Sequence, residues 1–495
     1  MAVFPFSSEY LVTAGCGILA YCYLGPISAQ IFELYGAYFA LRRNLHLTTY
    51  QDHQKYGPVL RQGPNKLVFN TVTAFKEIYQ SERITKSQLY LCGYPFLKNR
   101  STFVALDKDV HRFKRKLIGQ VISDRSIREF EPTMLVQIDI FLSQLRGSKP
   151  VNISERLRYL GVDIIGLLTL GYEYHLQTDA KNRCLLRSID IYTWYSNVVL
   201  QSPYLSWFFH KIFLDILSVH VQIPSFMLLK RMKKKRVAEG KDARQDLYFF
   251  AVDALEPEIK NPFDKVELKY EATFFMQAGG DTTSICLSAT FFYLSQNRNC
   301  YGRLAQEIRS TFSPAAEIRG GPTLSKCHYL RACIDEALRM SPPVSGTLWR
   351  ELDPDDTSSE PLIIDGQVIP AGTHVGVNIY SLHHNEEYFP EPFTYNPDRW
   401  LAPDGTHVTR EAFAPFLTGY RGCSGKSMAY LEASLLLAKT LWSFDFERAP
   451  GALGRVGESV KREHGEAEYR IHDIFTAANY GPYLIFHPRR DDEEN

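Results

Sequence analysis

A mainly helical protein with small β-sheets, built as one large domain behind an apolar N-terminal segment, is the fold class that three observations predict. Apolar residues recur at three- and four-residue spacing over 134–145, 162–170, 272–295 and 330–340, the period of helices with a buried face. Strand-like runs are few and short. No internal repeat, low-complexity tract or Gly/Ser linker divides the chain into independent units.

The apolar segment comes first. Between residues 10 and 41 the only charge is Glu33, and Arg42 and Arg43 follow directly. A cleaved signal peptide carries its positive charge ahead of the apolar run, whereas here it lies behind, the pattern of a signal anchor that leaves the bulk of the chain cytosolic. The expectation is a single-pass anchor near residues 10–31 in the endoplasmic reticulum membrane, an anchor and juxtamembrane unit over 1–45, and a catalytic domain over 46–495. The alternative is an amphipathic hairpin lying on the bilayer surface.

Composition narrows the partners. The chain has 495 residues, 45% hydrophobic and 13% aromatic, enough for a sizeable core. Its 56 basic and 55 acidic residues give a net charge of +1, so it offers no global field for gripping nucleic acid. The nine cysteines show no paired spacing, which suits a reducing compartment, and the default for each is a small buried hydrophobe.

Two stretches carry the sheet. The first, "GPVLRQGPNKLVFNTVTAFKEIY", mixes short alternating runs with Gly-Pro turns before turning helical. The second, "PLIIDGQVIPAGTHVGVNIY", places Asp365-Gly366 as a hairpin turn between β-branched runs. The helix over 271–296, roughly 39 Å long, is interrupted by Gly279-Gly280-Asp281-Thr282-Thr283. Glycine costs about 1 kcal/mol in a helix interior and a buried acid costs more. Either this is a bent core helix with a satisfied polar patch, or a groove for a small ligand with Asp281 and Thr282 placed to pass protons. Further on, Glu336 and Arg339 stand three apart on a helix that Pro342 and Pro343 end, a spacing usual for surface pairs. Arg399, in the proline-rich "FPEPFTYNPDRWL", would complete a buried Glu-Arg-Arg network.

The last feature is one cysteine among glycines before a long apolar run: Phe416-x-x-Gly419-x-Arg421-x-Cys423-x-Gly425. Gly-Gly-Asp-Thr-Thr, Glu-x-x-Arg, Pro-Asp-Arg-Trp and this signature, in this order, resemble the cytochrome P-450 family along essentially the whole chain. "YGPVLRQGPNKLVFN" and Phe475-Thr476 are most similar to fungal membrane-bound members of secondary metabolism, including trichothecene-type hydroxylases. The sequence departs from the family pattern at Tyr420 and Ser424 and has no proline-rich hinge after the anchor.

The resemblance implies a single haem-binding domain and a monooxygenase that inserts one oxygen atom of O2 into a lipophilic small molecule such as a terpenoid, polyketide or alkaloid. It implies Cys423 as the thiolate ligand of haem b iron, the donor that favours O–O cleavage. Gly419 and Gly425 would clear the porphyrin or take positive φ. Phe416 would shield the sulfur, and Arg421, His111, Arg115 and Arg350 would hold the propionates. Thr282, with Asp281, would deliver protons for O–O cleavage. Tyr90, Phe96, Phe103, 344–348, Phe475 and an aromatic lid over 191–217 would line the pocket and its access. No flavin or nicotinamide module is evident, so the resemblance implies NADPH-cytochrome P-450 reductase, carrying NADPH and flavins on the same membrane, with cytochrome b5 as a further donor. The basic run "LLKRMKKKR" is a docking patch, a contact for membrane lipid or a solvated helix end. Two rivals are a haem-thiolate isomerase or dehydratase working without O2, and a non-enzymatic haem sensor.

Overall fold

The computed structural model describes residues 23–93, 101–206, scattered positions between 231 and 249, 271, 274–401, 407–459 and 467–489. Helix dominates and sheet is minor, as expected. In chain order the elements used below are α1 (Ile27–Ile31), α2 (Leu34–Leu41), α3 (Leu45–Tyr56), β1 (Val59–Gly63), β2 (Lys66–Phe69), α4 (Val72–Gln80), β3 (Ile84–Lys86), α5 (Lys108–Val121), α6 (Asp124–Ser143), β4 (Gly147–Asn152), α7 (Ile153–Leu170) and α8 (Cys184–Gln201). A π-helical turn (Met276–Asp281) then runs into α9 (Thr282–Gln296), followed by α10 (Arg298–Thr311), α11 (His328–Met340), β5 (Arg350–Leu352), β6 (Leu362–Ile364), β7 (Gln367–Ile369) and β8 (His374–Val377). Helix α12 (Lys426–Ser443), β9 (Phe444–Arg448) and β10 (Tyr483–Pro488) complete the set.

The first sheet has the order β1-β2-β8-β5-β3, with β2 and β8 parallel. The second expected sheet stretch therefore divides: β6 and β7 form the hairpin at Asp365-Gly366, both residues at positive φ as a type I′ turn requires, while β8 joins the first sheet. A three-stranded sheet, β4-β10-β9, closes the other side. The main core packs α6, α7, α9, α10, α11 and α12 together through fully buried residues such as Ile138, Leu160, Phe291, Ile334 and Leu437.

The N-terminal expectation needs correction at its inner boundary. Residues 1–22 lie outside the described residues, but 23–31 do not extend a membrane-spanning helix. Helix α1 is five residues long, and among the described residues no helix is long and apolar enough to cross a membrane. The segment packs on the sheet instead: Arg61 N–H donates to Leu24 O at 2.9 Å and Tyr23 Oη to Val368 O at 2.9 Å. Residues 34–45 continue along the domain, with Asp473 N–H donating to Arg43 O at 2.8 Å. Leu24, Ile27 and Ile31 keep exposed apolar side chains while the backbone is held by the folded domain, and hydropathy reports only the first.

The Glu-Arg-Arg network is present and buried, with both Glu336 and Arg339 at 0% exposure. Arg339 binds Glu336 through Nε and Nη2, each at 2.9 Å. Arg399 Nε, Trp400 Nε1 and the Asn396 N–H donate to the same carboxylate at 3.0–3.1 Å. Burial works against the Glu336 charge, but the two arginines outweigh it and hold its pKa below the usual value. Removing one member of such a set leaves an uncompensated buried charge. Glu336→Gln is expected to cost about 3–5 kcal/mol, read as a lower urea midpoint. Arg303→Ala, which breaks the exposed pair with Asp398, should cost about 1 kcal/mol or less.

Candidate active site

The loop carrying Cys423 is shaped by its own backbone. Leu417 and Gly419 take φ of 54° and 73°. The Gly422 N–H donates to Gly419 O at 3.0 Å and the Cys423 N–H to Phe416 O at 2.8 Å. A Cβ at Gly419 would lie 2.0 Å from the Tyr79 carbonyl oxygen, so this glycine answers to α4 as well as to its own dihedral. Of the two expected glycines, Gly419 takes the positive φ, whereas Gly425 has φ −82°, is the N-cap of α12 and lines the cavity. Cys423 thus stands two residues before the positive end of an 18-residue helix.

Upstream, the loop is anchored to the Glu336 network. Arg339 Nη1 donates to His383 O at 2.9 Å, and His383 Nδ1 lies 3.0 Å from Arg339 O. His383 Nε2 accepts from the Ala414 N–H at 2.9 Å, so the ring carries its proton on Nδ1. Burial first, with Arg339 nearby, holds the His383 pKa well below the usual value.

A cavity of about 710 Å³ is bounded by this loop on one side and the π-helical turn on another. Cys423 lies on its wall with an exposed side chain. Burial pushes the thiol up, while the Gly425 N–H, Arg115 and Lys426 pull it down. Phe416 lines the cavity beside it and packs on Tyr430 at 5.0 Å between centroids.

The sequence-predicted basic residues converge here. His111, Arg115, Arg350 and Arg421 all line the cavity, and Lys86 joins them. Burial first, then Arg421, Lys86, Arg115 and Arg350, drive the His111 pKa down to about 3. Burial, Arg350 and Arg421 likewise hold Lys86 well below the ordinary lysine range. Arg421 donates to Ala105 O at 2.7 Å and Leu106 O at 3.0 Å, but its buried Nε has no hydrogen-bond partner among the described residues. No carboxylate there is ion-paired with Lys86, Arg115, Arg350 or Arg421. Several basic side chains gathered at one flank of an apolar cavity, with a thiol on its wall, fit a flat apolar group bearing carboxylates and a metal. Haem has that chemistry.

On the facing wall, Thr282 lines the cavity and its Oγ1 donates to Ala278 O at 2.5 Å. Asp281 is placed differently from the expectation: it is buried, is absent from the cavity wall, and is gripped by Arg158 Nε at 2.8 Å. The paired glycines have a packing role that the groove reading left out. A Cβ on Gly280 would lie 2.6 Å from Val162 Cγ2, and one on Gly161 2.7 Å from Gly280 O. Backbone meets backbone where α7 crosses the turn, and that contact brings Arg158 to Asp281.

The pocket aromatics are partly as expected. Phe103 stacks on Phe274 at 5.1 Å and meets Phe475 edge-on at 5.5 Å, with Val344 and Leu348 nearby on the wall. Tyr90 is off the wall, behind Phe103 and Phe475. Of the described part of the lid, Tyr192 faces the cavity, whereas Trp194 Nε1 donates to Leu41 O at 3.2 Å. Phe96, Trp207, Phe208, Phe209 and most of the run over 228–236 lie outside the described residues.

Sequence reasoning missed Lys86, Arg158, Asp190 and His383. The two-residue period of β3, which puts Lys86 on the same face as Ile84, was a usable signal. So was the helical spacing that aligns Arg158 with Gly161 and Val162. Nothing local marks His383.

The family model for Cytochrome P450 matches residues 26–453. Among relatives, the Cytochrome P450 monooxygenase poxM of Penicillium oxalicum is 35% identical over 475 residues, covering 94% of this chain and 89% of that protein. The Cytochrome P450 monooxygenase AKT7 of Alternaria alternata is 33% identical over 487 residues, covering 94% and 92%. A third, the Cytochrome P450 monooxygenase apf7 of Gibberella fujikuroi, is 31% identical over 500 residues, covering 94% and 93%. Family match, relatives and fold agree, and the chain belongs to the cytochrome P450 family.

Proposed function

We propose that the protein is a haem-thiolate monooxygenase that places one oxygen atom of O2 on a lipophilic small molecule of fungal secondary metabolism. The observation that carries the reading is the cavity that joins the Cys423 thiol, a cluster of buried basic groups and an aromatic wall. The word monooxygenase in the names of all three relatives supports it over the isomerase and sensor alternatives.

In this reading Cys423 would bind the haem iron through its sulfur, and Arg421, Arg115, His111, Arg350 and Lys86 would hold the propionates. Held by a thiolate, haem supplies the activation of dioxygen by electrons delivered from outside the chain. Phe416 keeps water from the sulfur, and the start of α12 steadies its negative charge. Thr282 holds a hydroxyl on the cavity wall that can give up its bond to Ala278 O and orient a proton donor. Asp281 supplies that proton from behind the turn. Phe103, Phe274, Phe475 and Tyr192 desolvate and orient an apolar substrate.

Electrons come from NADPH through a separate flavoprotein reductase, with cytochrome b5 as a second donor, guided by basic groups of the proximal face including Lys426. The residues before Tyr23 anchor the protein in the endoplasmic reticulum membrane with the catalytic domain cytosolic. NADPH consumption dependent on reductase and O2 tests the class; turnover of an oxidised substrate without either would favour the isomerase.

Cys423→Ser is expected to abolish the thiolate-type Soret band of the reduced protein with carbon monoxide, and persistence of that band would remove Cys423 as the ligand. Thr282→Ala should retain haem but divert NADPH electrons into hydrogen peroxide, measured as peroxide formed per NADPH with purified reductase. Tight coupling in that variant counts against the role. Lys86→Met removes one charge-assisted donor worth roughly 1.5–3 kcal/mol, so haem transfer to an apo-globin acceptor should speed up about tenfold or more.

A further inference from the structure

Phe475 is held in an unfavourable conformation by a group that lies behind it. Its φ is 89°, in a region that bulky side chains avoid, and its ring faces the cavity edge-on to Phe103 at 5.5 Å. The Phe475 N–H donates to Asp473 Oδ1 at 3.2 Å, and the same oxygen accepts from Asn197 Nδ2 of α8 at 3.0 Å. An aspartate bonded to the backbone two residues on makes a compact side-chain turn, and here the turn is tied to a helix 276 residues away in sequence. Both ends of the segment are fixed as well, the Asp473 N–H to Arg43 O at 2.8 Å and the Ala477 N–H to Pro343 O at 2.7 Å.

Asp473 itself is not on the wall of the main cavity. It is 1% exposed, and the basic group within ion-pair range among the described residues is His46 of α3, 3.9 Å from Oδ2. Burial drives that imidazole down to about 3, so it offers no charge near neutral pH. An acid buried without a cation is costly. Charge pairing therefore does not account for Asp473, whereas the N–H groups held by its Oδ1 do. The other oxygen, Oδ2, has no hydrogen-bond partner among the described residues. A void of about 10 Å³ lies there, lined by Asp473 with Asn197, Gly346 and Thr347. Val344, Leu348 and Phe475 line both this void and the 710 Å³ cavity, so Phe475 is part of the partition between them.

We propose that Asp473 is a positioning residue that sets the shape of the substrate wall: its carboxylate holds Phe475 at positive φ, which keeps the ring against Phe103 and the void closed off from the cavity. Without that hold Phe475 relaxes to negative φ, the ring leaves Phe103, and the void joins the cavity. The size of ligand that fits beside Phe103 is thus chosen by a residue off the cavity wall. This deepens the reading of the cavity as the haem and substrate chamber and rests on it.

The test uses the haem-loaded chain with D473A, D473N, F475G, F475A and D473A/F475G, and two azoles that bind haem iron through nitrogen, read by the Soret shift. Imidazole makes few contacts beyond the iron, whereas clotrimazole carries three aryl rings. In D473A the ratio of the two dissociation constants should shift about fivefold or more from native. D473N keeps an amide oxygen for the Phe475 N–H and should stay within about twofold of native. D473A/F475G should match F475G, because glycine takes this φ unaided and no ring is left to place. A native ratio in D473A, or an equal shift when D473A is added to F475G, overturns the proposal. With Asp473 intact, F475G should show a higher urea midpoint than F475A, since glycine alone is unstrained at φ of 89°. An equal or higher midpoint in F475A overturns the proposal even where D473A does not fold. Absence of a Soret shift with imidazole in the native protein would instead sink the haem reading, and the two midpoints would still decide whether position 475 is held under strain.

Discussion

The buried carboxylate of Glu336 is the constraint on which the placement of the site depends. A charge at 0% exposure is tolerated only if every acceptor site is met, and here the donors come from distant parts of the chain. Arg339 belongs to α11, while Asn396, Arg399 and Trp400 belong to the N-cap and body of a four-residue 3₁₀ turn, Pro397–Trp400, too short to hold its own place. Satisfying one carboxylate therefore fixes that stretch against the core. Arg339 passes the constraint on, because its own backbone oxygen and guanidinium hold His383, and His383 holds the Ala414 N–H. Nine residues beyond Ala414 lies Cys423. A thiol that must face one point of a cavity is thus placed by a chain of hydrogen bonds from an ion set whose Glu336 and Arg339 are at 0% exposure.

The opposite wall obeys a different constraint, steric rather than electrostatic. Gly161 and Gly280 let two backbones approach to where any Cβ would collide. The turn of Met276–Asp281 widens to π geometry at this crossing, and π-bulges recur at functional sites because they break the regular hydrogen-bond ladder. Thr282, the first residue after the bulge, is left facing the cavity, and Asp281 is turned toward α7. The same two glycines account for both placements, so the packing and the groove readings of Gly279-Gly280 are complementary.

What could be read from sequence was chemistry at short range. Cys423, Arg421 and Phe416 share ten residues of chain, Asp281 and Thr282 are adjacent, and Glu336 and Arg339 are one helical turn apart. Turn chemistry at Asp365-Gly366 and the periodicity of the core helices are equally local, and the fold class followed from them. What stayed hidden was assembled over distance. Arg158 meets Asp281 across 123 residues and His383 meets Ala414 across 31, and no window of sequence contains both ends. The direction of the Asp281 side chain was unreadable for the same reason, since it is chosen by Arg158. The inner end of the N-terminal segment is not legible in sequence because Leu24, Ile27 and Ile31, at 66%, 78% and 60% exposure, score like membrane residues while their backbone belongs to the folded domain.

Helix α8 is where these constraints meet. Its C-terminal carbonyls at Leu200 and Gln201 are capped by the buried Lys66 ammonium of β2, a cation where the helix dipole favours one. Asn197 Nδ2 donates to Asp473 at 3.0 Å, and the same carboxylate oxygen accepts the N–H of Phe475, whose φ of 89° is costly for an aromatic residue. Trp194 binds the N-terminal segment at Leu41, and Asp190 binds Arg158. Between those contacts Ile189 and Tyr192 face the cavity. A displacement of α8 cannot then be local: it alters a strained pocket residue on one side and the hold on the buried acid on the other. The helix closest to the N-terminal segment is mechanically tied both to the wall that shapes the substrate and to the group proposed to supply the proton.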